Sequence, residues 1–498
     1  MPATSTAPLP TTRSSRERAL ERRVADLVVE NTQLRVENRQ LRVENAALMA
    51  RLADMEKRFA ELEARLKENS ANSDRPPSSD PPWNKPPTRP REPTGRKRGG
   101  QPGHKGVTRP LLPVEQVDHV VPLVPKTCRR CRAPLRQKRD ARDPEPTRHQ
   151  ITEVPPPKLV TTEYQAHGTA CDRCGEVTRA ELPREVAGSA FGPGLQARVA
   201  LLTGRYRLSR RETVEAIKDL FGVDLALGTI TALEQATSDA LKAPYEEALK
   251  TVRDAGVVNA DETGWRNGLE RAWLWIAVTA TLAVFWIDPR RNRAAFVRFL
   301  GNFTGCLVTD RWGAYLRHPK RLHQFCWAHL KRDFEKLVLR GGQAAAFGNA
   351  ALAEVTAIFA LWHRFKNGEI NRASLRRLMA PIQERFFLLL LDGTQNSHQK
   401  ASGLCARLIP LWSCLWVFVR LPDVEPTNNS GERDLRKAVL WRKGSFGCQS
   451  DGGCTYVSRI LTAAACLRKQ HRNVLEFLEQ AVRAHRSGTP PPSLLPSV

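Results

Sequence analysis

The chain of 498 residues carries 78 Lys and Arg against 52 Asp and Glu, a formal net charge of +26 at pH 7. A chain of this length is expected to form two to four domains, which excludes a single small module. The positive charge favours nucleic acid as the partner, because phosphates are its natural counter-charge. A basic surface that serves only solubility is the alternative.

The apolar segments and the cysteines bear on the compartment. Met1–Arg23 is polar and lacks the apolar core of a secretory signal. The longest uncharged stretch, Ala272–Ile287, is shorter than the ~18–20 residues of a membrane span. Eleven cysteines in such a chain favour reduced thiols or metal ligands over disulfides. We expect a cytoplasmic protein with no membrane partner.

Residues 16–67 carry a heptad pattern with almost no breaks. The d positions are Leu20, Leu27, Leu34, Leu41, Leu48, Met55 and Leu62, and the a positions are Val24, Asn31, Asn38, Asn45, Leu52, Phe59 and Leu66. A seam of this length predicts a coiled coil, and asparagine at three a positions favours a parallel homodimer. The alternative is one amphipathic helix packed on a core.

Residues 68–126 form a basic, Pro- and Gly-rich linker that is expected to be extended or disordered when unbound. Its run Gly-Arg-Lys-Arg-Gly-Gly-Gln-Pro-Gly-His-Lys-Gly is suited to lie along phosphates or in a minor groove. The candidate DNA-binding residues in it are Arg96, Lys97, Arg98, His104 and Lys105. A solvated charged linker is the alternative.

Residues 127–185 contain two Cys-x-x-Cys pairs, Cys128 with Cys131 and Cys171 with Cys174. Four thiolates are the closed tetrahedral ligand set of structural Zn²⁺, so the spacing predicts a zinc-ribbon-like module with one ion. The alternative is two unrelated cysteine pairs.

Residues 190–248 are predicted to be helical. Ser209-Arg-Arg-Glu212 is a capping box, Gly222 is a stop signal, and a second helix is expected near Thr229. Helix, short turn and helix suggest a helix-turn-helix-like DNA-binding region. Any helical hairpin shares this pattern.

Residues 250–445 change to the period of strands. The predicted order is strands at 257–261, 273–279 and 282–288, a helix at 293–300, strands at 307–310 and 323–327, and a helix at 328–339. This order matches a ribonuclease-H-like α/β catalytic domain, with a helical insertion at about 343–420. A C-terminal helical region follows at 446–486, so the predicted fold class is multidomain α/β.

Three acids are the candidate catalytic residues. Asp261 and Asp310 each end an apolar run and are predicted at strand ends, and Glu432 stands at the predicted start of a helix. Carboxylate oxygens suit Mg²⁺, and two Mg²⁺ ions ~3.5–4 Å apart stabilise both oxygens of a phosphodiester displacement. Ordinary surface acids are the alternative, and Glu262 and Asp434 are the rival ligands.

The motifs together resemble the transposases of bacterial IS66-type insertion sequences over nearly the whole chain. The matching segments are the leucine-zipper start, Gly-Gly-Gln-Pro-Gly-His-Lys-Gly, the Cys-x-x-Cys pairs, Asp261-Glu-Thr-Gly-Trp, Thr-Asp310-Arg-Trp-Gly-Ala-Tyr, Cys326-Trp-Ala-His-Leu-Lys-Arg-Asp-Phe and Thr427-Asn-Asn-Ser-Gly-Glu432-Arg-Asp-Leu-Arg. Gly431 is a departure, because Ala is usual there.

The resemblance implies a Mg²⁺-dependent DDE-type transposase with the triad Asp261, Asp310 and Glu432, and with supporting residues His329 and Arg332. It implies that the protein binds the ends of an insertion sequence and target DNA, cleaves and joins strands, and works with small accessory proteins of the same element. A bacterial, nucleoid-associated location follows. Two rivals remain: a DNA-binding repressor or relic without catalysis, and a nuclease of the ribonuclease H type.

Overall fold

The computed structural model describes residues 15–66, 103, 106, 109–138 and 140–496. The chain divides into two units, residues 1–92 and 93–498. In the first unit, helix α1 spans Ser15–Leu66, about 78 Å at 1.5 Å per residue. Leu20, Leu27 and Leu34 on its seam are all exposed. The helix is confirmed, and its pairing with a second copy stays a prediction.

The second unit opens with a segment whose described residues, 103, 106, 109–138 and 140–192, are mostly irregular and exposed. Its regular structure is a short antiparallel hairpin of β1 (Gly168–Ala170) and β2 (Val177–Arg179), followed by the single-turn helix α2 (Arg184–Ala187). Arg96, Lys97, Arg98, His104 and Lys105, the predicted DNA contacts, lie outside the described residues.

Four further α-helices and a short π-helix lie between α2 and the sheet, as the sequence predicts for this region. The α-helices are α3 (Pro193–Ala200), α4 (Arg210–Phe221), α5 (Leu227–Ala240) and α6 (Lys242–Arg253), and the π-helix is Leu201–Arg205. The predicted capping box is present: Ser209 accepts from the Glu212 amide, and Glu212 accepts from the Ser209 amide. Gly222 ends α4 with φ 69°, the left-handed conformation that glycine adopts without strain.

A five-stranded sheet is the centre of the second unit. Its strands are β3 (Val257–Asn267), β4 (Glu270–Val278), β5 (Ala283–Asp288), β6 (Cys306–Thr309) and β7 (His323–Phe325), in the order β5-β4-β3-β6-β7. β3, β4 and β5 are antiparallel neighbours, whereas β6 and β7 run parallel to β3. Helix α7 (Arg293–Leu300) connects β5 to β6, as a parallel crossover requires.

The prediction for β3 was too short. The sequence places Asp261 at the end of this strand, but β3 continues six residues further because β4 pairs with it from Asn259↔Val278 to Asn267↔Glu270. Asp261 therefore lies in the interior of β3. The parallel partner β6 pairs only with Val257, Val258 and Asn259, so Asp261 lies just beyond the parallel part of the sheet.

Both faces of the sheet are covered, because alternate residues of its strands pack on different helices. On β4, Leu274 and Ile276 pack with α13 (Asn429–Ser445) and α14 (Asp451–Lys469), whereas Trp275 and Ala277 face a core that includes α6 and α7. The last helix, α15 (Val474–Ser487), joins that second core through Phe477 and Leu478.

A helical segment lies between β7 and α13. Its helices are α8 (Trp327–Val338), α9 (Gly342–Lys366), α10 (Arg372–Gly393), α11 (Gln399–Leu408) and α12 (Val417–Arg420). Segments 342–366 and 399–420 have the length and composition of a membrane span. Their apolar side chains, such as Phe347, Ile358 and Phe418, pack in one core with β6, β7 and α8. The predicted helical, strand-poor character of 343–420 is confirmed.

Candidate active site

Asp261 on β3 and Asp310, the first residue after β6, lie where the parallel pairing of these two strands ends. The last parallel pair of β3 and β6 is Asn259↔Val308, and each aspartate follows its strand's member of that pair by two residues. Two residues on, the side chains return to the same face of a strand. Burial raises the pKa of Asp261 well above its ordinary value, and the negative charges of Glu262 and Asp310 raise it further. Two carboxylates in this position repel each other unless a cation lies between them.

Glu432 lies in the first turn of α13, as predicted, and the residue before that helix ties it to β3. Asn428 is fully buried. Its Nδ2 donates to the Ala260 carbonyl at 2.9 Å, and its Oδ1 accepts from Asn259 Nδ2 at 3.0 Å. These bonds hold the start of α13 against the strand segment that carries Asp261. The charge of Glu432 also contributes to the raised pKa of Asp261, so the three acids form one electrostatic group, the acidic cluster.

The two rival acids are fully engaged by other side chains. Glu262 accepts from Arg291 through Oε1 at 2.7 Å and from the Tyr315 hydroxyl through Oε2, and only 2% of its side chain is exposed. Asp434 forms ion pairs with Lys437 and Lys469, one on each oxygen and both at 3.2 Å. Every oxygen of these two carboxylates therefore already has a partner from the protein.

The members of the acidic cluster retain coordination capacity. Oδ1 of Asp261 accepts from the Glu262 amide, and Oδ1 of Asp310 accepts from the Trp312 amide, both at 2.9 Å. Within the described residues, the Oδ2 atoms of both aspartates and Oε2 of Glu432 have no hydrogen-bond partner. An all-oxygen donor set with free lone pairs and mutual repulsion fits Mg²⁺.

Two cations and a neutral histidine line the cluster. Arg291 stacks between Trp273 and Trp312, with its guanidinium carbon 4.9 and 4.4 Å from the two ring centroids. Arg332 Nη2 lies 3.3 Å from Glu432 Oε1. Burial, with the charge of Arg332, lowers the pKa of His329 to about 4, so this ring is neutral at pH 7.

His329 and Glu432 also belong to a group with Cys326, whose donor atoms all lie within 4.8 Å of one another. His329 Nδ1 is 3.4 Å from Glu432 Oε1 and makes no hydrogen bond within the described residues. The Cys326 sulfur accepts the Asn428 amide at 3.1 Å, and burial raises the pKa of its thiol. This hydrogen bond helps to hold Asn428 in place.

The two Cys-x-x-Cys pairs adopt one backbone geometry. The Cys128 amide donates to the Ala133 carbonyl, and the Cys128 carbonyl accepts from the Arg132 amide; Cys171 makes the same two bonds with Glu176 and Gly175. Backbone amides and the second cysteine of each pair lower the pKa of the Cys128 and Cys171 thiols. Thiols favoured as thiolates on such turns fit Zn²⁺ ligands. In the described part of the chain, the four sulfurs form no single close group, so the four-ligand site stays a prediction.

Residues 188–456, more than half of the chain, match the family described as "Transposase IS66 family". The chain belongs to the IS66 transposase family. Residues 8–110 also match DUF6444, a family of unknown function that is typical of IS66 transposases. The matched region 188–456 contains β3, β6 and α13, and therefore all three members of the acidic cluster.

A curated relative of this family member is the uncharacterized protein y4qI of Sinorhizobium fredii. The two are 24% identical over 275 residues, which cover 49% of this chain and 50% of the relative. The chain thus spans about half the length of the curated relative that it matches.

Several residues that build this IS66 site carry no role in the sequence reasoning. Asn259 and Arg291 lie outside the quoted motifs, and Tyr315 and Asn428 appear only as motif members without a role of their own. Their contacts with Asn428 or Glu262 join positions 29 to 169 residues apart. The one hint in the sequence is Glu262 directly after Asp261, because a carboxylate that becomes buried there needs a cationic partner.

Proposed function

We propose that this chain is a DDE-type transposase that binds the ends of its insertion sequence and catalyses Mg²⁺-dependent strand cleavage and strand transfer. The observation that carries the proposal is the contrast between neighbouring acids. Asp261, Asp310 and Glu432 keep free oxygens, whereas Glu262 and Asp434 have both oxygens engaged. The strand order β5-β4-β3-β6-β7 supports a ribonuclease-H-like catalytic domain.

The chemistry requires no protein nucleophile. Water attacks the scissile phosphorus, the bond to the 3′ oxygen breaks, and the strand ends as a free 3′-OH and a 5′-phosphate. The 3′-OH then attacks a phosphodiester of target DNA and releases a target 3′-OH. Two Mg²⁺ ions held by the acidic cluster would stabilise the attacking and leaving oxygens in each displacement.

The protein's own residues fix where these events occur. Asn428 holds the first turn of α13 against β3, which sets Glu432 relative to Asp261. Tyr315 and Arg291 keep Glu262 away from the cluster's ligand positions. Arg332 and the neutral His329 limit how far the Glu432 carboxylate can turn. Preorganised groups of this kind lower the barrier because they need no reorientation during the reaction.

The remaining parts are assigned supporting roles within this proposal. Residues 16–67 form a parallel homodimer, and 68–126 contact DNA through Arg96, Lys97, Arg98, His104 and Lys105. Residues 127–185 bind one Zn²⁺ through the four cysteines, and 190–248 contact DNA. The catalytic domain spans 250–445 with an insertion at about 343–420, and 446–486 completes it. Small proteins of the same element assist in the bacterial cytoplasm.

The test is strand transfer on a donor that carries the element's own ends, with the accessory proteins present. Asp261→Asn, Asp310→Asn and Glu432→Gln are each expected to abolish the reaction and retain DNA binding, because a carboxamide keeps the shape but not the charge. Glu262→Gln is the matched control and is expected to retain measurable transfer. A wild-type protein that binds the ends but never cleaves them with Mg²⁺ supports the inactive repressor or relic instead.

Activity that survives in Glu432→Gln but is lost in Asp434→Asn would move the third ligand to Asp434. Cleavage of any duplex, without preference for the ends and without joining, favours a nuclease of the ribonuclease H type.

A further inference from the structure

A basic cleft lies where residues 201–207, which directly follow α3, meet α13 and α14. Two adjoining cavities, of about 10 and 240 Å³, share Arg205 and Arg468 in their walls. Arg207 and Lys437 line the first of them. These four side chains, here called the basic cleft, come from three separate parts of the sequence.

The segment 201–207, which carries Arg205 and Arg207, is fixed against α14. A Cβ on Gly204 would lie 2.2 Å from Ile460 Cγ1, so only glycine allows this approach. The Thr203 and Tyr456 hydroxyls are 2.8 Å apart in the buried contact beside it. Arg207 has φ 64°, a backbone conformation that is unfavourable for a residue with a side chain. Backbone strain of this kind persists where the surrounding structure holds it, often at functional sites.

The positive charge of the cleft is not balanced by the protein. Asp434 contacts Lys437 but is shared with Lys469. Among the residues that the structure describes, Arg205, Arg207 and Arg468 form no ion pair with a carboxylate. Burial and the charge of Arg468 lower the pKa of the Arg205 guanidinium, which shows the cost of gathering these cations. A like-charge cluster with fixed walls is suited to an anion.

The cleft and the acidic cluster are connected by one helix. Lys437 follows Glu432 by five residues on α13, which is about 7.5 Å along the axis and roughly 140° around it, so the two side chains leave the helix on different sides. Guanidinium groups bind phosphate oxygens in pairs, which makes arginine the suitable residue for this contact.

We propose that the basic cleft binds a backbone phosphate of the DNA that the protein engages. This inference rests on the proposed function and adds a specific phosphate subsite to it. The contact is to the backbone, so it fixes the register of the strand and is independent of base sequence.

The experiment compares full-length wild type with the double variant Arg205→Gln/Arg468→Gln. The control is Arg377→Gln/Arg407→Gln, which removes the same charge from exposed positions of α10 and α11. Affinity for duplexes with and without the element's ends is measured against salt in EDTA, so that no cleavage occurs. The cleft variant is expected to lose ~0.9 from the slope of log K against log salt, the value for one phosphate contact, on both duplexes. The control is expected to match wild type.

Thermal unfolding separates binding from folding. Removing two crowded arginines relieves repulsion, so the cleft variant is expected to melt at the wild-type temperature or above it. A slope equal to that of wild type overturns the inference, and so does a slope loss accompanied by a lower melting temperature than the control's. Strand transfer by wild type tests the proposed function separately. If wild type transfers strands and the cleft variant keeps its slope, only the subsite is wrong; if wild type binds no DNA, both are.

Discussion

Two clusters of like charge lie along α13, and they are built differently. The acidic cluster uses short side chains on a sheet and a first helical turn, with backbone and amide hydrogen bonds on either side of Asp261. The basic cleft uses long side chains, three of them guanidinium groups, around a cavity. Metal ions require ligands at fixed positions, whereas a phosphate can be met by flexible donors. We infer that each cluster carries more charge than the protein itself neutralises, and that its binding partner supplies the rest.

The largest expected effect is that of Mg²⁺ on the acidic cluster. Binding to the folded state alone stabilises a protein by about 2.7 kcal/mol when the ligand is at 100 times its Kd. Wild type is expected to show such a rise in thermal unfolding with Mg²⁺, and Asp261→Asn is expected to show none. Glu262→Gln should keep the rise, because both Glu262 oxygens are engaged by Arg291 and Tyr315. If Asp261→Asn is stabilised by Mg²⁺ as much as wild type is, the metal does not bind at this cluster.

Without metal, the free energy of unfolding of the protein should fall as the pH rises. The pKa values of Asp261, Glu262 and Asp310 are raised in the folded state, chiefly by burial. As pH rises above the unfolded value of about 4, the unfolded chain releases these protons first, so the free energy of unfolding falls through this window. Urea unfolding in EDTA at several pH values measures the slope.

Asp261→Asn is expected to flatten that slope and to raise the stability of the metal-free protein at neutral pH. The same substitution in the presence of saturating Mg²⁺ should be destabilising relative to wild type, since the bound cation favours the charged carboxylates. An unchanged slope in EDTA would show that Asp261 is already ionised and balanced by the protein, contrary to the comparison above.

The position of Glu432 can be disturbed without changing any charge. A Cβ on Gly431 would lie 2.8 Å from Asn428 Oδ1, and Asn428 is held by Ala260 and Asn259. Gly431→Ala therefore introduces the residue usual in the family at a position where Asn428 must move. Overpacking costs about 1–3 kcal/mol, against a gain in helix propensity of about 1 kcal/mol. We expect a small net loss of stability and a clear loss of strand transfer.

Gly444→Ala is the matched control for this substitution. Gly444 lies on the same helix, and a Cβ there would have nothing within 4 Å. It should gain up to about 1 kcal/mol of stability from helix propensity alone and keep its activity. If the two alanine variants behave alike in urea unfolding and in strand transfer, Asn428 does not position Glu432.

The sequence predicts the elements of this fold that depend on local signals. The capping box at Ser209, the stop at Gly222 and the break between β4 and β5 near Thr279 all follow from a few adjacent residues. The extension of β3 past Asp261 does not, because it depends on pairing with β4. Gly264 and Arg266 in that stretch give little sign of a strand by themselves.

The candidate site was also predictable in part. The motifs single out Asp261, Asp310 and Glu432, and the chemical roles of these residues are proposals. The engagement of Glu262 by Arg291 and Tyr315 depends on contacts across 29 and 53 positions, so its sequence neighbours give no indication of it. The basic cleft is harder still, since Arg205, Lys437 and Arg468 meet only after α13 and α14 have packed.

The smallest expected effect is at Arg332, the cation beside the acidic cluster. Its side chain is 48% exposed, and its atoms approach Glu432 at 3.3 Å. Exposed ion pairs contribute only about 0–1 kcal/mol, so Arg332→Gln should change stability by less than about 1 kcal/mol. It should also lower the Mg²⁺ concentration needed for thermal stabilisation, because a competing positive charge has been removed.

Salt screens that competition, so the difference from wild type should shrink as ionic strength rises. The Mg²⁺ titration is repeated at low and high salt, with Arg377→Gln as the control for loss of one exposed arginine. If Arg332→Gln loses strand transfer as completely as Asp310→Asn while Mg²⁺ still stabilises it normally, Arg332 acts on the DNA rather than on Glu432.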